Sequence, residues 1–360
     1  MANLNYARFL PDLLASLQRQ TLEHWQCIVV DDGSTDGSVE LIQSAAEDDP
    51  RFVLVTKPGG GPAGALRAAL PWASGDVIAF VDSDDALLPS RLHDIVAAFR
   101  AEPDAGMVVH PLHLIGSDGV LLGRTPLRGT PLHGDLRPQL LTLGGRVGGM
   151  GVTSGMAIRR SIVDWLAERS LLPERGTLPD EFLRRVAPLL APVAAIEHPL
   201  GLRRVHGQNI STSSVDRLAA FVQRAYDEQV DILRRQNEVL SALGSTHRFR
   251  DDHDLDLLTL AYATARLTGS AETRADAARS LRSAPTFQAL RGIQRWFWTL
   301  APRTPTRVFA PLLSVLLSPN GIKPLLNHLR FRIGRSDEAA PGLTVASTRE
   351  VFRRALRRRW

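Results

Sequence analysis

The chain has 360 residues, 44% hydrophobic and 22% charged, the make-up of an ordinary globular protein long enough for one large core or two. Its formal charge is +5, yet from Phe287 onward there are 14 Lys or Arg against 3 Asp or Glu, so a basic tail follows an acidic body and an anionic partner surface is expected for the tail alone. Cys27 is the only cysteine, which excludes intrachain disulfides and fits a reducing compartment. No apolar run approaches the ~20 residues of a spanning helix; the longest, Val308 to Leu317, contains Pro311 and Ser314.

In chain order, Asn3-Leu4-Asn5-Tyr6 reads as a loop, and Leu10, Leu13, Leu14 and Leu17 recur at helical spacing behind Pro11, a residue suited to a first turn. Cys27–Val30 is a short apolar strand, Val39–Ala46 a helix and Phe52–Val55 a second strand. The glycine-rich stretch Gly59–Gly64 reads as a flexible loop before an Ala/Leu helix through Leu70, with Arg67 in that helix's first turn. Val77–Val81 is a buried strand. A helix after Pro89, a strand at Met107–His110, a hairpin turn at Ser117-Asp118-Gly119 and a loop-rich stretch from Leu127 to Gly151 follow. Ser161–Arg169 and the segment opened by Pro179-Asp180-Glu181 are helices, and Val193–Ile196 is a strand. Strand and helix alternating at this interval predict an α/β fold with a doubly wound sheet. Beyond Val215 the pattern is helical, over Leu218–Leu243 and Leu255–Leu281, and from Phe287 aromatic residues alternate with arginines. The expected divisions are 1–112, 113–213, 214–285 and 286–360.

Two acidic groups stand at predicted strand ends, where open α/β sheets bind ligands. Asp82-Ser83-Asp84-Asp85 follows Val77–Val81; Asp82 and Asp84, two apart, share one side of an extended segment and repel unless a cation such as Mg2+ or Mn2+ holds them. An isolated pair of this kind is more often a solvated helix cap. Asp31-Asp32-Gly33-Ser34 follows the Cys27 strand and suits either a bond to a nucleobase or ribose or an Asx turn. Glycines at 59–61 permit close phosphate approach with Arg67 behind them, but there is no Walker lysine.

Taken together and in this order, Asn3-Leu4-Asn5-Tyr6, Val29–Ser38 and Gly75–Asp85 resemble the family-2 glycosyltransferases of GT-A fold. The resemblance spans roughly Met1 to Ser211. It implies a mixed, doubly wound sheet with a helical C-terminal extension. It also implies nucleotide contacts from Asn3, Asn5, Asp31, Asp32, Gly61, Arg67 and Asp82, and a divalent metal, Mg2+ or Mn2+, on Asp82 and Asp84. By the same resemblance Asp180 is the general base, with Glu181 its rival, and Arg204 and His206 lie near the diphosphate. Asp180 is equally at home in a first turn through the helix dipole, and the 203–209 segment could be a solvated basic loop. Arg203 stands where the family has an aromatic residue. The family's first apolar strand, before Asn3, is missing here, so the functional protein is expected to extend upstream of Met1.

The implied activity is inverting transfer of a sugar from a nucleotide-diphosphate sugar, UDP-linked by family frequency, to a glycan or lipid-linked acceptor in cell-surface polysaccharide or glycolipid synthesis. The rivals are a nucleotidyltransferase of similar fold and a non-catalytic sugar-nucleotide or membrane-surface binding protein. The expected location is cytoplasmic, peripheral on the inner face of the cell membrane through Trp296, Trp298, Phe309, Leu312–Leu317 and the closing arginines; nucleic acid is not an expected partner.

Overall fold

The computed structural model describes residues 1–124, 133–145, 151–174, 179–206, 218–284, 287 and 292–317. The closing arginines and residues 207–211 of the basic segment lie outside them.

Three hydrogen-bonded sheets organise the first part of the chain. The first is parallel: β1 (Ala2–Asn3), β2 (Cys27–Asp31) and β3 (Phe52–Thr56), in that order. At the place of the family's first apolar strand stands a two-residue β1, which pairs with β2 through Ala2 opposite Val30 and Asn3 opposite Asp31. The second sheet has the order β10 (Val193–Ala195), β6 (Met107–Val109), β9 (Met156–Arg159), β4 (Val77–Ala79), with β9 antiparallel to both neighbours. The third places β11 (Gly201–Val205) between β5 (Ala86–Leu87) and the hairpin β7 (His113–Gly116) and β8 (Leu121–Arg124). The fold is therefore α/β with mixed sheets. The hairpin falls where Ser117-Asp118-Gly119 predicts it; β5, β9 and β11 were not predicted as strands.

Helices α1 (Leu10–Gln18), α2 (Ser38–Asp48) and α3 (Gly61–Ala69) separate the early strands. The periodic leucines of α1 are all buried, together with Val29, Ile42, Phe52 and Leu87, each such side chain contributing about 1.5–3 kcal/mol. Helix α3 begins two residues after Gly59, because Gly60 takes φ +117° and Pro62 suits the first turn. Arg67 is therefore in its last turn, not its first. Next come α4 (Arg91–Ala101), α5 (Arg137–Thr142), α6 (Arg160–Glu168) and α7 (Pro179–Leu190); α5 lies inside the stretch predicted to be all loop.

The chain divides into two compact units. Of the described residues, those up to 139 and from 151 to 204 form the first; those from 140 to 145 and from 205 onward form the second. The second unit is helical: α8 (Leu218–Ala242), α9 (Leu255–Thr268), α10 (Ala271–Ser283), α11 (Gly292–Leu300) and α12 (Thr306–Leu317). The predicted single helix over Leu255–Leu281 breaks at Gly269, and Ser270 caps the new one by accepting from the Thr273 N–H. One core joins Leu218, Val222, Tyr262, Leu281, Phe287, Trp298 and Phe309, so the described parts of 214–285 and 286–360 pack together. Trp298 is 7% exposed and Phe309 0%; both rings face Tyr262 edge-on. The expectation that these aromatics form an exposed face is corrected. Val308 and Leu312 remain exposed. Among the described residues no helix is long and apolar enough to cross a membrane.

Candidate active site

The acids after β4 turn sharply and enter β5. Asp85 lies 1% exposed and Asp84 7%, while Asp82 is partly exposed. One oxygen from each of the three carboxylates lies within 4.8 Å of the others. The turn is held from several elements. The Ser154 Oγ accepts from the Asp82 N–H at 2.9 Å, and the Ser83 Oγ donates to the Ala2 carbonyl at 2.8 Å, tying the turn to β1. On β11, side chains alternate: Arg204 is buried and Arg203 is not. The Arg204 N–H donates to Asp85 Oδ1 at 2.9 Å, its Nε to the Asp84 carbonyl at 3.0 Å, and its Nη2 to Asp12 Oδ2 at 2.8 Å. Its guanidinium also lies over the Phe9 ring. Arg204, expected at the diphosphate, braces the acidic turn through these bonds.

Beneath the turn is a buried cation. Arg91, 1% exposed, donates to the Phe80 and Ser154 carbonyls at 2.8 and 3.0 Å and to His110 Nε2 at 3.2 Å. His110 Nδ1 faces the Pro111 carbonyl at 2.9 Å, so the ring is neutral with its proton on Nδ1. Burial and the Arg91 charge hold its pKa down at about 3. Burial also lowers Arg91 to about 10.

Desolvation comes first among the causes that push Asp82 well above the carboxylate range, followed by the charges of Asp85, Asp84 and Asp180; Arg203 pulls the other way. Desolvation and Asp84 raise Asp85 to about 7. Tyr6 is pushed up to about 12 by burial and then by Asp84, Asp82 and Asp85. Three crowded acids with oxygens to spare suit a hard divalent cation, and Asp85 Oδ2, buried with no hydrogen-bond partner among the described residues, fits such an occupant.

Asp31 is committed to its own loop. It accepts from Asn3 Nδ2 at 2.8 Å, Ser34 Oγ at 2.7 Å and the Gly33 and Ser34 N–H groups, which together outweigh desolvation and lower its pKa. Asn5, at φ 58°, accepts from the Thr35 N–H. Asp32 accepts from Lys57 Nζ at 2.7 Å and the Gly61 N–H at 2.8 Å. Arg67 is half exposed, 4.0 Å from Glu174.

Asp180 and Glu181 open α7. Glu181 is paired with Arg184 and, at 3.2 Å, with Arg185, whereas Arg184 is 3.8 Å from Asp180. His206 is buried just beyond β11.

Residues 1–164 match the family model for Glycosyl transferase family 2. The chain carries a family-2 glycosyltransferase domain. Its fold is of the GT-A type: the crystal structure of S. aureus TarS 1-349 aligns with TM-score 0.50 at 16% identity, covering 96% of this chain and 95% of that one. An uncharacterized glycosyltransferase of Nostoc sp., alr2836, is 30% identical over 210 residues, 58% of this chain and 64% of its own length. The chondroitin synthase of Pasteurella multocida is 30% identical over 118 residues, 33% of this chain and 12% of that protein. The chain thus spans less than two thirds of the curated relatives it matches.

Within the family-2 domain, sequence reasoning passed over Asp85, Ser154, Arg91 and Lys57. Asp85 was visible as a third acid in the run, and Arg203 as a basic residue in place of an aromatic one. Nothing in the local pattern marks Ser154 or Arg91, whose roles depend on sheet pairing.

Proposed function

We propose that the chain is an inverting glycosyltransferase that moves a sugar from a nucleotide-diphosphate sugar, UDP-linked, onto an acceptor hydroxyl in cell-surface polysaccharide or glycolipid synthesis. The observation that carries this is the acid cluster at the β4 end of a family-2 domain, where Asp82, Asp84 and Asp85 bring carboxylate oxygens within 4.8 Å of one another. Asp82 and Asp84 would hold Mg2+ or Mn2+. When bound, the ion supplies charge neutralisation for the departing diphosphate. Asp180 takes the acceptor's proton as its oxygen attacks the anomeric carbon opposite the leaving group. Glu181 is the less available group, because Arg184 and Arg185 engage its carboxylate.

Asn3, Asn5, Asp31 and Asp32 shape the nucleotide pocket, with the first three acting through the loop they brace. Asn3 Oδ1 is buried with no hydrogen-bond partner among the described residues, which leaves one acceptor for a base or ribose donor. Gly61 keeps the backbone low and Arg67 lies further along α3. Arg204 and His206 are the candidates for the diphosphate, and Arg203, whose charge opposes the rise in the Asp82 pKa, joins them as a third. The exposed Val308 and Leu312, with the basic tail, support peripheral contact with an anionic membrane on its cytoplasmic side.

The test is nucleotide release from a panel of UDP- and GDP-sugars with Mn2+, with and without short glycan and lipid-linked acceptors. Acceptor-dependent release that Asp84→Asn and EDTA both abolish is expected. Full release in EDTA overturns the metal role, and the absence of transfer from every donor to every acceptor class overturns the activity.

A further inference from the structure

We propose that Asp85 is a third protein ligand for the divalent cation, so that the acid cluster takes up its metal before any nucleotide sugar arrives. This rests on the reading that Asp82 and Asp84 form a cation site.

Four observations converge. The Asp85 carboxylate is 1% exposed, and it belongs with Asp82 and Asp84 to a group whose ligand oxygens lie within 4.8 Å of one another. Its Oδ1 is fixed by the Arg204 N–H at 2.9 Å. Its Oδ2 has no hydrogen-bond partner among the described residues although it is buried. A buried carboxylate oxygen without a donor is costly, and the nearby guanidinium groups have other partners: Arg91 donates to two carbonyls and His110, and Arg204 to the Asp84 carbonyl and Asp12. A cation among the three acids satisfies Oδ2 and relieves the mutual repulsion.

The number of carboxylates decides the order of binding. Where a protein offers one or two, Mg2+ or Mn2+ completes its shell with substrate phosphates and is held weakly without them. A third carboxylate raises the charge and the count of protein oxygens, so the cation has less need of the diphosphate. Arg204, reaching Asp85 from β11 through its main chain, holds this ligand at a fixed place, and Ser154 holds the Asp82 main chain in the same way.

The experiment is titration of the full chain with Mn2+, followed by loss of the free-ion electron paramagnetic resonance signal, with and without UDP. The wild type, Asp84→Asn and Asp85→Asn are compared, and folding is checked by a cooperative thermal transition. Asparagine keeps the acceptor facing the Arg204 N–H while removing the charge. The expected result is one Mn2+ per wild-type chain without UDP, at an affinity that Asp85→Asn weakens by at least about tenfold, with UDP recovering part of the loss. Asp85→Asn binding as tightly as the wild type overturns the proposal. So does wild-type uptake only when UDP is present, which leaves the Asp82–Asp84 site standing. If no Mn2+ binds even with UDP, the cation site itself is refuted. Should Asp85→Asn lack a folding transition, the wild-type arm decides alone: an affinity without UDP within about a hundredfold of that with UDP supports the third ligand, and a larger dependence overturns it.

Discussion

Arg204 and Asp85 are 119 residues apart in the chain, and the main-chain N–H of one donates to the carboxylate of the other at 2.9 Å. The same arginine's side chain holds the Asp84 carbonyl and Asp12. Arg204→Met should therefore loosen the acidic turn from outside it. A hydrogen bond to a charged group is worth about 1.5–3 kcal/mol, so a clear fall in melting temperature is expected. Mn2+ affinity should fall about 10–100-fold, as for residues that orient ligands. Arg204→Lys should recover little, because one ammonium cannot span the same partners. Thermal melts with and without Mn2+ check both effects; an unchanged Mn2+-induced rise in melting temperature would count against the positioning role.

Asp180→Asn should lower kcat by roughly 10²-fold or more with little change in donor affinity, as expected for a lost general base. Glu181→Gln breaks the contacts to Arg184 and Arg185 and should cost modest stability and little rate. Steady-state kinetics on both variants distinguish them, and the reverse ranking would move the base by one residue.

His110 makes the acid limb of the stability curve predictable. Its folded pKa is about 3 against an ordinary 6.5, so the unfolded chain takes up a proton that the folded chain refuses. Stability from this group is fully present above pH 6.5 and is lost as pH falls toward 3, on the order of a few kcal/mol in total. His110→Gln retains an acceptor for Arg91 and removes the titration. Denaturant midpoints measured from pH 7 to 4 should fall less steeply in the variant than in the wild type.

Trp298→Ala and Phe309→Ala should each cost about 3–5 kcal/mol, seen as early melting of the helical unit. At temperatures where the variants stay folded, their recovery with anionic liposomes should match the wild type, since neither ring lies on the surface. Flotation that collapses in a folded Trp298→Ala variant would restore this ring to the membrane face.

The sequence made the sheet-forming halves readable where the signal was local. Val77–Val81 followed by acids, and Cys27–Val30 followed by Asp31-Asp32, declared two strands and the acids at their ends, although the first of the two is only Val77–Ala79 and half-buried. The α1 leucines declared a buried face. What escaped reading was set by distant pairing. Met156–Arg159 is four residues with one β-branched side chain, and only β4 and β6 on either side make it a strand. The bonds from Arg204 to the acidic turn escaped reading because they depend on β11 meeting β5. Trp298 and Phe309 looked exposed because their cover, Tyr262, lies on another helix. Gly61 and Pro62, counted as loop, start a helix, and that moved Arg67 by about one turn, from the first to the last.

The Arg91 cluster also constrains how this chain can drift. Arg91 and His110 are both buried and bonded to each other, and Arg91 also holds the main-chain carbonyls of Phe80 and Ser154. Replacing the arginine alone strands His110 Nε2 and two carbonyls, and replacing the histidine alone strands a guanidinium N–H. Each single step crosses a valley in fitness, although a combined exchange to apolar residues of matching volume need not. Related chains should therefore keep these positions as a set or change them together, and a lone substitution at any one of them marks a lineage that has already compensated elsewhere.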